Sequence, residues 1–132
     1  MPLEGTQLLP RDVAQLLFDA GWVQAENLLK MIATADAESN LYSEAYHINN
    51  DGTTDWGYLQ LNDGGKTGAE LDDFKAMAFD PVRATAYARG LYVARGFQPW
   101  VAYNSGAWTA HIARAARAIE NMFRVKYGLA PL

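Results

Sequence analysis

Apolar residues recur at spacings of three and four through Leu28, Leu29, Ile32 and Ala35, the period that turns one stripe of a helix toward a core. That pattern predicts a helix over roughly Val23 to Glu38, with Glu38 in its last turn. Ahead of it, Pro10 suits a first helical position and Gly21 a stop, which predicts a helix from Pro10 to Ala20. From Ala45 to Leu61 the helical period is lost. Short runs rich in Tyr, Ile, Trp and Leu flank Asn50, Asp51 and Gly52, a turn composition that predicts a β-hairpin. A Gly-rich loop from Asp63 to Gly68 and an acidic stretch, Glu70 to Asp73, precede the return of the helical pattern. Asp80 and Pro81 form a cap and first-position pair for a helix ending at Arg95 before Gly96. A short helical turn from Pro99 and a last helix from about Ala107 to Tyr127, stopped by Gly128, complete the chain. Helices on both sides of one small hairpin predict an α+β domain, predominantly helical, with a minor β-lobe. The boundary between the lobes is where a cleft is expected.

The 132 residues, half of them apolar and 20% charged, suit a single domain spanning 1–132 with one core. Without cysteine, the chain excludes disulfide scaffolds, thiolate metal sites and cysteine nucleophiles. No window approaches about 18 uninterrupted apolar residues, and Met1–Arg11 lacks a basic start followed by an apolar run. Neither a membrane span nor a signal peptide is therefore expected within it. A net charge of −4 opposes nucleic acid and anionic lipid as partners. The charge is uneven: Ala107–Leu132 carries Arg114, Arg117, Arg124 and Lys126 against Glu120 alone. The spacing of those arginines reads as a solvated helix face.

Common nucleophilic and metal arrangements fail on this sequence. Ser39, Ser43 and Ser105 lack a Gly-x-Ser-x-Gly elbow, and His47 and His111 are the two histidines that could serve as bases. There is no His-Glu-x-x-His, and reading His47 to Tyr58 as a calcium loop puts His at the first ligand position and Tyr at the last. No metal or cofactor is expected, and each His reads as a hydrogen-bonded residue. What remains is a carboxylate pair, Glu38 and Asp55, on elements that the hairpin brings face to face. Glycosidic cleavage needs one carboxyl protonated near neutral pH to donate to the leaving oxygen, and one ionised to meet the charge developing on the sugar. Glu38, at a helix C-terminus among apolar neighbours, is expected to have its pKa raised; Asp55, beside Thr53 and Thr54, has donors available to keep it charged.

The run from Ala37 to Asn62 resembles, without a gap, the catalytic stretch of the c-type lysozymes. Glu38-Ser39-Asn40 is similar to that family's sequence around its general acid, Asp51-Gly52-Thr53-Thr54-Asp55 to its turn carrying the second carboxylate, and Gly57-x-Leu59-Gln60-x-Asn62 to the strand that follows. Trp100-Val101-Ala102-Tyr103 is similar to the family's Trp-Val-Ala-Trp, whose first Trp packs against the acid. Two departures stand out: animal c-type lysozymes carry four disulfides and a basic surface, whereas this chain has no cysteine and is acidic. Tyr103-Asn104-Ser105-Gly106 instead resembles the Tyr-Asn-x-Gly signature of soluble lytic transglycosylases, whose Glu-Ser start Glu38-Ser39 also fits. The first helix with Ala20-Gly21-Trp22, and the stretch from Phe79 to Gly106, resemble lysozyme-like domains of bacteriophage lysins and virion proteins.

The resemblance implies a lysozyme-like fold, a helical lobe and a β-hairpin lobe flanking a cleft, and a muramidase acting on peptidoglycan glycan strands. In that reading Glu38 is acid then base, and Asp55 is nucleophile or ion stabiliser. Asn49, Gln60 and Asn62 match cleft positions whose amides suit N-acetyl and hydroxyl groups. Trp100 would wall Glu38 and, with Tyr103 and Trp56, could stack on sugar rings, although packing in the core is the commoner role for such side chains and the one expected of Trp56. Trp22 and Trp108 are assigned to packing. Alternatives are a lytic transglycosylase using Glu38 alone, and an inactive glycan-binding or virion structural module. The expected place of action is the bacterial cell wall, by phage delivery or as part of a virion. Because an acidic surface lacks long-range attraction to anionic walls, a targeting domain elsewhere in a parent protein would supply it.

Overall fold

The computed structural model describes residues 5–132; the first four residues of the Met1–Arg11 stretch lie outside them. The chain is predominantly helical with one small antiparallel sheet. Helix α1 (Pro10–Ala20) begins on its proline and stops at Gly21, whose φ of 124° closes the helix end. Helix α2 (Ala25–Ser39) follows, and then strands β1 (Tyr46–Ile48), β2 (Thr54–Trp56) and β3 (Leu61–Asn62) in the order β1-β2-β3. The remaining helices are α3 (Gly68–Phe79), α4 (Pro81–Arg95), the short α5 (Val101–Asn104) and α6 (Ile112–Lys126). A 3-10 turn over Ala107–His111 leads into α6, so the expected last helix starts in two pieces. The acidic stretch is the first half of α3 rather than a connector, and the hairpin gains a third strand. Asp80 caps α4 by accepting from the amides of Val82 and Arg83.

Helix α2 departs most from its sequence pattern. A single apolar stripe is expected, yet Met31 through Asp36 are all buried. Ala33, Thr34 and Ala35 are small enough for neighbours to close in on every side. Helix α1 packs on α6 and α2, and α2 also packs on α6 and the 3-10 turn. Asp36, deep in this packing, accepts from His111 Nδ1 at 2.7 Å and lies 3.3 Å from Arg114 Nε. The Arg114 guanidinium and the hydrogen bond from the His111 ring offset the penalty that burial places on this carboxylate. The core joins α1, α2, α4, α6 and the β-lobe through Leu17, Ile32, Ala84, Met122 and Leu59.

Strand alternation decides what the sheet offers to each side. Directly opposed residues of an antiparallel pair share a face, and successive residues alternate. Tyr46 pairs with Trp56 and Trp56 with Leu61; this row turns toward α3, where the Trp56 ring meets Phe79 edge-on at 5.7 Å. The adjacent row, His47, Asp55 and Asn62, must therefore face the other way. The contacts that join the lobes include the buried Tyr58 hydroxyl, which bonds Thr85 of α4, and Gly57, which passes so close to α3 that a Cβ there would lie 2.1 Å from the Ala78 carbonyl oxygen. Among the described residues no helix is long and apolar enough to cross a membrane.

Candidate active site

Glu38 is the penultimate residue of α2, and its position is set by the residue after it. Ser39 is fully buried; its Oγ lies 2.7 Å from the Tyr58 carbonyl and 3.0 Å from that of Ala35, and it accepts the Leu41 amide at 3.0 Å. The helix end is thus tied to the β-lobe. Asn40 then takes a left-handed φ of 51°, and its N–H caps Asp36. Glu38 itself is half-buried, and its Oε1 accepts the backbone N–H of Ala102 in α5 at 2.7 Å. Burial pushes its carboxyl above the ordinary carboxylate range. The Ala102 N–H opposes that rise, the charge of Asp55 adds to it, and His47 opposes it more weakly. Carbonyls at the end of α2 leave partial negative charge nearby, which also disfavours the ionised form.

Asp55 is central in the sheet row, with His47 on one side and Asn62 on the other. Asn62 Nδ2 donates to Asp55 Oδ1 at 2.9 Å and to Thr53 Oγ1 at 2.8 Å, while its Oδ1 accepts the Gly64 amide at 2.9 Å. This side chain therefore aims Asp55. The turn before it is fixed by Asp51, whose Oδ1 accepts from the Thr53 hydroxyl at 2.6 Å and the Thr53 amide at 2.9 Å. Those bonds hold the Asp51 carboxyl below its usual range.

Two adjoining cavities of about 530 and 470 Å³ form a groove in which Glu38 and Asp55 line both halves, together with Asn49, Gln60 and Val101. The two carboxylates expected from sequence thus share one groove. Asn49 lines it with its amide bonded to Thr53 Oγ1 at 3.2 Å. Gln60 lines it too, but its Nε2 donates to the carbonyls of Ala45 and Gly57, so that end of the amide holds the loop. Trp100 is a wall: it lines the groove, is only 2% exposed, and donates its indole N–H to the Leu59 carbonyl at 2.9 Å. Tyr103 does not line either cavity. Its ring is stacked between Phe97 at 4.4 Å and Trp108 at 5.5 Å, which covers both of its faces. Trp56 packs on Tyr46 and Phe79.

Sequence reasoning misses six contributors. The Ala102 amide carries no side-chain signal at all. Ser39 has no nucleophile's setting in the sequence; its burial, not its reactivity, is what matters. His47 enters the groove through strand register alone. Tyr87, Leu91 and Arg95 of α4 line one half of the groove, and helical spacing shows that they share a face without showing what it meets. Among the described residues no three His, Asp or Glu side chains gather as a metal-binding group. Chemically, the groove offers a partly desolvated Glu shifted toward its protonated form, an Asp carried on the sheet, and the amides of Asn49 and Gln60. No protein-family model matches this sequence, and no curated protein matches it significantly.

Proposed function

We propose that this chain is a muramidase with a lysozyme-like fold, hydrolysing the β-1,4 bond between N-acetylmuramic acid and N-acetylglucosamine in peptidoglycan. The observation that carries the reading is the carboxylate pair lining one groove, with Glu38 pushed toward its protonated form by burial. Glu38 gives its proton to the glycosidic oxygen as the bond to the anomeric carbon breaks, and Asp55 meets the positive charge that develops there, as nucleophile or ion stabiliser. Once Glu38 has lost its proton, the Ala102 N–H at 2.7 Å supports the new carboxylate. Glu38 then takes a proton from the water that completes hydrolysis. This division of labour is that of the c-type lysozymes and comes to this chain through the resemblance of residues 37–62.

The test is lysis of purified cell walls followed by turbidity, with mass spectrometry of the released fragments. Glu38→Gln is expected to lower the rate by at least about a hundredfold, the usual worth of a positioned acid; undiminished lysis would remove the acid from the mechanism. A lytic transglycosylase is the second reading, favoured by the turn at Tyr103–Gly106: Asn104 Nδ2 donates to the Gln98 carbonyl at 2.8 Å, bracing the segment that presents Ala102 to Glu38. Products ending in 1,6-anhydro sugars, with Asp55→Asn nearly as active as the parent, would favour it. Walls left intact by the parent protein would leave a glycan-binding or virion structural module.

A further inference from the structure

The groove is electrostatically lopsided. Glu38, Asp51 and Asp55 line it as acids, and Arg95, in the last turn of α4, is the lone Lys or Arg among the described residues that line either half. Among those residues no carboxylate lies within ion-pair distance of Arg95. Its one hydrogen bond to another side chain runs from Nε to Gln98 Oε1 at 3.2 Å. Gln98 is itself held through its carbonyl by Asn104. Fixing a guanidinium through Nε leaves its two terminal nitrogens for another partner, the fork that matches a carboxylate. Tyr87, Leu91 and Arg95 follow one another at intervals of four along α4, so this face presents an aromatic ring, an aliphatic chain and a cation in line. Such a stripe suits a short, partly apolar chain that carries a carboxylate.

Resting on the muramidase reading, we propose that Arg95, positioned by Gln98, binds a carboxylate carried on the O3 substituent of a muramoyl residue, and so selects anionic glycan over a neutral polymer of N-acetylglucosamine. In peptide-free strands that carboxylate belongs to the lactyl group. In peptide-bearing strands the lactyl group is an amide and the carboxylates lie along the peptide.

The experiment measures binding of three oligosaccharides of matched length to the full chain carrying Glu38→Gln, with and without Arg95→Gln: a neutral N-acetylglucosamine hexamer, amidase-stripped strands and peptide-bearing strands. Charge-assisted hydrogen bonds to an exposed arginine predict that Arg95→Gln weakens one or both anionic ligands about three- to tenfold. The neutral hexamer should change less than about twofold, and Arg95→Lys should fall between, keeping the charge without the fork. Whichever anionic ligand suffers the loss identifies the carboxylate. Equal weakening of all three ligands, or of none, would overturn the assignment while the parent's Glu38-dependent lysis left the muramidase reading standing. Failure of the parent to lyse walls or bind any of the three would overturn both.

Discussion

Replacing Ser39 with alanine removes a single oxygen from the chain, and its effect follows from what that oxygen touches. Leu41 is fully buried, so its amide, which now donates to Ser39 Oγ, would be left without water or a partner. A buried donor left unsatisfied costs about 1–3 kcal/mol. The Tyr58 carbonyl, 2.7 Å from the same hydroxyl, would lose its partner as well. The Ala35 carbonyl adds little, because one hydroxyl proton serves one carbonyl at a time. Together these give about 2–4 kcal/mol, a large share of the 5–15 kcal/mol by which a domain is normally stable. For a chain of this length that is a fall in Tm of about 10 °C. Urea denaturation should show a lower midpoint with an unchanged slope, because the compactness of neither state is altered. A loss below about 0.5 kcal/mol would refute the view that this hydroxyl ties the end of α2 to the β-lobe.

Gly57→Ala is expected to cost more than about 3 kcal/mol, since the new Cβ would meet the Ala78 carbonyl oxygen and the backbone φ of 82° disfavours any side chain; a urea midpoint matching the parent would contradict the close approach of the β-lobe to α3. Glu38→Gln should alter stability in a pH-dependent way. The folded protein holds the Glu38 proton more tightly than the unfolded chain does, so its contribution is complete below the ordinary value near 4.5 and is lost as pH rises through the raised folded value. Relative to the parent, the glutamine variant should therefore gain stability between pH 4 and pH 8, and a difference that stayed flat across that range in thermal melts would count against a raised carboxyl.

Most of the helical frame was legible because its punctuation is local. Pro10 and Gly21 bound α1, and Asp80, Pro81 and Gly96 bound α4, where a proline, a capping carboxylate or a glycine acts within one turn. The pair Glu38 and Asp55 was legible for a different reason: both lie within one ungapped stretch whose resemblance carries the spacing. Burial of α2 on all sides was not, because Ala33 and Thr34 look neutral until their neighbours are known. Nor was the bond that aims Asp55: Asn62, expected as a cleft amide, lines the groove and also donates its Nδ2 to Asp55 Oδ1. Tyr103 looked available because sequence shows no partner for its ring; Phe97 and Trp108 supply two. Contacts made by backbone amides, such as that of Ala102, leave no trace in residue identity.

The two walls of the groove are built in unequal ways. Glu38 rides on a helix buried through Asp36 and fastened at its end by Ser39, whereas the facing wall consists of strands of three, three and two residues braced by side-chain bonds on an exposed turn. Under the muramidase reading, the acid stands on the wall fixed by burial and its partner carboxylate on the wall fixed by exposed side-chain bonds. Changes confined to Asn49 and Asn50 would then reshape the groove beside Asp55 while leaving in place Glu38, its bond from Ala102 and the neighbouring His47 and Asp55.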